Sequence, residues 1–75
     1  MTTHEALARR LAELDARIAF GEFYLREQQA ASRTPGANLF EMGLACNACR
    51  AIEDSLAILR QRRDQVAHDL ARQAA

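Results

Sequence analysis

The chain has 75 residues, 49% of them hydrophobic but only 5% aromatic, and its basic residues, all arginine, balance its ten Asp and Glu. A domain this short buries only about 60% of the surface its unfolded chain exposes, and a balanced charge creates no long-range field toward nucleic acid or anionic lipid. No apolar run approaches the roughly 20 residues that span a bilayer, and the opening MTTHEALARR lacks the basic-then-apolar order of a signal peptide, so the expected compartment is the cytoplasm.

A composition rich in Ala, Leu and Arg favours long helices over sheets. Thr2 followed by Glu5 fits a capping box, in which each side chain satisfies a free backbone N–H, so the first helix is expected from about residue 3. Leu7, Leu11, Leu14, Ile18, Gly21, Leu25 and Gln28 then recur at alternating steps of four and three, the heptad spacing of a helix packed on another helix. Glu5 with Arg9, Glu13 with Arg17 and Glu22 with Arg26 stand four apart in the favourable order and read as a solvated face.

SRTPGAN, residues 32–38, holds the single Pro, a Gly and several small polar residues, the one strong turn signal. Asn38 with Glu41 repeats the capping pattern, so a second helix is expected over about 39–73 after a turn at 33–38. Its stripe is Met42, Ala45, Cys49, Ile52, Leu56, Leu59, Arg63, Val66 and Leu70. The whole chain, 1–75, reads as a single helical domain.

Folding one stripe on the other about the centre of the turn pairs Gln28 with Met42, Leu25 with Ala45, Gly21 with Cys49, Ile18 with Ile52, Leu14 with Leu56, Leu11 with Leu59 and Leu7 with Arg63. That register makes an antiparallel, coiled-coil-like two-helix hairpin. It leaves the second helix overhanging beyond Val66 and brings Arg63 within reach of Glu5. A glycine costs a helix interior roughly 1 kcal/mol. Gly21 is therefore read as a packing notch opposite Cys49, in preference to a hinge.

The hairpin seam does not use every apolar residue. At 100° per residue, Phe20 and Phe23 point away from the leucine stripe, with Tyr24 on the flank. The second helix carries a matching extra strip of Phe40, Leu44, Ala51 and Ile58. A helix apolar on two sides is normally buried on two sides, and exposed aromatics mark an association surface. The expected partner-binding residues are Phe20, Phe23, Tyr24, Phe40, Leu44 and Ile58. The face would be covered by a second copy, completing a four-helix bundle, or by a larger protein.

CNAC, Cys46 to Cys49, is the only local pattern with chemical promise. On one helical face two thiolates supply half of a tetrahedral metal site, which a homodimer would complete. A c-type haem site would need His where Arg50 stands, and a redox pair would want the helix N-terminus that these cysteines lie beyond. The preferred reading is packing, with no metal or cofactor; a metal- or redox-responsive bundle is the alternative. Arg60, Arg62 and Arg63 fan around the helix, which makes a nucleic-acid-binding regulator a minor alternative. His4 and His68 have no partners at ligand spacing, and no catalytic set or small-molecule pocket can be assembled, so no enzyme is expected.

With RAIEDSLAILRQR at 50–62, the MTTHEALARRL opening and the hairpin plan, the chain resembles the small helical-hairpin co-chaperones of type III secretion needle subunits. The resemblance implies a non-enzymatic protein that joins a larger chaperone and keeps a polymerising subunit soluble, with the aromatic face as its docking surface. The Cys46 and Cys49 pair and the overhang past Val66 have no place in that pattern.

Overall fold

Thr2 is extended, and its hydroxyl oxygen accepts the Glu5 N–H at 3.1 Å while its carbonyl accepts the Ala6 N–H at 3.0 Å, which sets the first helix going. In the computed structural model, which describes residues 2–74, α1 spans Thr3–Ser32 and α2 spans Leu39–Ala74. Met1 and Ala75, included in the single domain above, lie outside the described residues. The two helices pack along their length as an antiparallel hairpin.

Side-chain competition for backbone carbonyls ends α1. The Ser32 hydroxyl donates to the Gln29 carbonyl at 2.7 Å and the Thr34 hydroxyl to the Ala30 carbonyl at 3.2 Å. Thr34-Pro35-Gly36-Ala37 then forms a type II turn, closed by the Ala37 N–H on the Thr34 carbonyl at 3.2 Å, with Gly36 at φ 86°. Pro presets the first central residue of such a turn and Gly supplies the positive φ of the second. Asn38 starts α2: its Oδ1 accepts the Glu41 N–H at 2.8 Å.

The register differs from the one expected, by one heptad. A Cβ placed on Gly21 would stand 2.7 Å from Leu56 Cδ2, so Gly21 faces Leu56 and not Cys49. Arg63 pairs with Asp15 at 2.7 Å and not with Glu5. Thr3 and Leu7 share a recess with Asp69, Arg72 and Gln73, so the part of α2 beyond Val66 lies beside the first turns of α1 and does not overhang. The overhang is at the opposite end. Ala31 and residues 34–37 lie against Glu41 and Ala45, so the turn doubles back along the first turns of α2, which project past the end of α1. The long dimension, 55 Å, agrees with this. The 36 residues of α2 alone reach about 54 Å at 1.5 Å per residue.

The seam buries Leu14, Ile18, Ala45, Leu56 and Val66, with Leu56 enclosed almost completely. Met42, expected in the seam against Gln28, is instead 39% exposed, because the slide carries it beyond the last turn of α1. Among the described residues no polar or charged side chain is buried. The i,i+4 pairs expected on the surface of α1 do not close: the ion pairs within 4.0 Å among the described residues are those of Arg63 with Asp15 and with Asp64. Exposed charges gain little by pairing when water solvates each equally well.

Candidate interaction face

Phe20 and Tyr24 stand one helical turn apart on the flank of α1 and stack, with ring centroids 6.4 Å apart and planes 6° from parallel. Beside them, where Gly21 lets α2 approach, a groove of about 360 Å³ opens over the seam. Its floor is Gly21, Ile52, Leu56 and Leu59; the rings and Arg17 form one wall and Ala51 and Ser55 the other. The recess exists because the residues at its centre are small. With Leu in place of Gly21 or Ala51, side chains would fill it.

Heptad spacing places Leu44 and Ile58 in the same row of α2 as Ala51, and Phe40 lies one turn before Leu44. Phe20, Tyr24, Leu44 and Ile58 thus share one broad face of the hairpin, with Phe40 at its turn end. Phe20 is 70% exposed and Phe40 73%; Tyr24, Leu44 and Ile58 are each about half exposed. Phe23 is also exposed, but its position on the helical wheel puts it on the back of α1, apart from the groove. Of the six residues expected to bind a partner, five belong to one face and Phe23 does not.

Two features escaped the sequence reading. Leu39, at 87%, is the most exposed large apolar residue among those described, and it precedes Phe40 at the projecting tip of α2. An apolar pair directly after a capping Asn is a signal, since no seam residue of α1 reaches that level. The groove itself was hidden because it depends on the register that brings Gly21 to Leu56.

The two cysteines are free thiols, Cys46 exposed and Cys49 half-buried. The observed register carries Cys49 to the level of Gln28. No group of three or more His, Cys, Asp or Glu among the described residues is arranged to hold a metal ion. His4 and His68 are both exposed. The hydrogen bond that Arg63 donates to Asp15, and then the Asp15 charge, raise the Arg63 pKa above its ordinary value. Among the described residues no helix is long and apolar enough to cross a membrane.

No protein-family model, curated protein or solved structure matches the chain.

Proposed function

We propose that this protein is a non-enzymatic protein–protein interaction module, an assembly adaptor or co-chaperone that works through the outer apolar face of its hairpin. The observation that carries the reading is the exposure of Phe20, Tyr24, Phe40, Leu44 and Ile58 on one face of a hairpin whose seam, among the described residues, buries five side chains. Exposed apolar surface that includes aromatics marks association surfaces. Burial of each such side chain is worth about 1.5–3 kcal/mol, on the scale of the whole stability of a lone hairpin. Partner binding is therefore part of how the fold is kept.

The groove beside Phe20 and Tyr24 is lined mainly by apolar side chains, which suits the burial of a partner's apolar residues. The resemblance of residues 50–62 and of the opening segment to needle-subunit co-chaperones fits the adaptor reading.

Phe20→Asp places a charge at the centre of the face without touching the seam, and Phe23→Asp does the same on the back of α1. Phe20→Asp is expected to abolish association, read by light scattering, while helix content by circular dichroism largely persists. Unchanged mass for Phe20→Asp would count against the proposal.

A further inference from the structure

We infer that the occupant of the Phe20–Tyr24 face is a second copy of this chain, packed antiparallel with α1 on α1 and α2 on α2. Its two-fold axis crosses the hairpin at the level of Glu22 and Ser55, next to the contact of Gly21 with Leu56. The inference rests on the reading of this face as an interaction surface and adds the identity of what covers it.

The charges on α1 make the first argument. Arg17 stands three residues before Phe20, and Glu27 three residues after Tyr24, all on the same flank. A flank of this order reversed on itself about residue 22 lays Phe20 on Tyr24 of the second copy and Arg17 on Glu27 of the second copy. Both contacts occur twice, as a two-fold interface requires. A parallel copy of the flank would lay each charge on its like.

Side-chain size on α2 makes the second. The row beside the groove carries Ala51, Ser55 and Ile58. Reversed about the point between Asp54 and Ser55, it sets the bulky Ile58 of one copy over the small Ala51 of the other, with the two serines close beside the axis. These two centres of reversal come from different helices, and the register of the fold puts them side by side to within about half a residue: Gly21 faces Leu56, so residue 22 stands opposite Ser55. One dyad satisfies both.

Area makes the third. Phe20 is 70% exposed, Tyr24 47% and Phe40 73%. At about 150–250 Å² per ring, these three alone present roughly 290–480 Å². A stable interface covers about 800 Å² per partner, of which about 56–58% is apolar. The half-exposed Leu44 and Ile58 supply the rest of the apolar share. One hairpin therefore has, on one face, as much apolar surface as a dimer needs.

The test uses the full chain. Sedimentation equilibrium is expected to give a dimer at micromolar concentration. Arg17→Glu and Glu27→Arg should each weaken it on the order of three- to ten-fold, and the double variant should recover the original affinity. With both native cysteines replaced, Ser55→Cys should oxidise to a disulfide-linked dimer, whereas Ala57→Cys, on the other side of α2, should not. A monomer at about 100 µM, a dimer whose double charge variant is no tighter than the singles, or a dimer that Ser55→Cys fails to link would each overturn the proposal. If the chain is monomeric and Phe20→Asp still abolishes binding of a different protein, the second copy is excluded and the interaction function stands. If it is monomeric and the substitution changes no binding, both fall.

Discussion

Arg63 Nε donates to Asp15 Oδ1 across 2.7 Å, joining α2 to α1 between residues 48 positions apart. Both side chains are more than 40% exposed, so the pair aligns the helices more than it stabilises them. Asp15 raises the pKa of Arg63, so the contribution of Arg63 is complete below its ordinary value and lost only as pH rises through the raised one. Arg63 therefore stays charged throughout the neutral and moderately alkaline range. Arg63→Gln is expected to lower Tm slightly at low salt and hardly at all in about 1 M salt. The deprotonation of Arg63 should add no slope to Tm between about pH 7 and 10.

Gly21 and Gly43 predict opposite outcomes for the same substitution. An added Cβ at Gly43 meets nothing within 4 Å, so Gly43→Ala should stabilise by up to about 1 kcal/mol through helix propensity alone. At Gly21 the new methyl would lie 2.7 Å from Leu56 Cδ2, and overpacking a seam costs about 1–3 kcal/mol. Gly21→Ala should therefore be destabilising by about 1 kcal/mol net, measured by urea or thermal unfolding.

Leu56 is 1% exposed, and Leu56→Ala should cost about 2–4 kcal/mol, enough to remove cooperative unfolding from a hairpin this small. The two sites are coupled. In the Leu56→Ala background, made measurable by an osmolyte, Gly21→Ala should become stabilising, since the side chain it collided with is gone. Additive effects would refute the packing described for this level of the seam.

Gly36 has φ 86°, a conformation that costs other L-residues about 1–2 kcal/mol. Gly36→Ala should destabilise by that order and Gly36→Asn by less, whereas Asn38→Ala should cost about 1 kcal/mol by removing the cap on the Glu41 N–H. Amide exchange at Glu41 should quicken in Asn38→Ala.

The two thiols should titrate fully with a thiol reagent in the folded protein, exposed Cys46 faster than half-buried Cys49. A chelator should leave helix content and mass unchanged. A chelator-dependent loss of either would revive a metal role for this pair.

The helix starts and the turn were legible because each is set by neighbours in sequence. Thr2 and Asn38 bond to N–H groups three residues on, and Pro35-Gly36 fixes its own turn. The interhelical register was not legible, for a reason inherent in heptads. Sliding one helix by seven residues returns every stripe residue to the seam, so periodicity alone scores Gly21 opposite Cys49 and Gly21 opposite Leu56 alike. Side-chain volume separates them: the notch takes Leu56, a larger residue than Cys49, and the slide also brings Asp15 to Arg63. The exposed face survived the slide because Phe20, Tyr24, Leu44 and Ile58 owe their exposure to their angle around each helix, which a shift of two turns barely changes.

Gly21 thus acts as a detent. Two rods with a repeating profile have several stops at which their ridges fit equally well, and a missing tooth on one rod selects a stop at which a large tooth of the other drops in. Filling that gap with a leucine would leave both helices intact yet free the pair to settle a heptad away, with the groove closed and the two halves of any symmetric face no longer level.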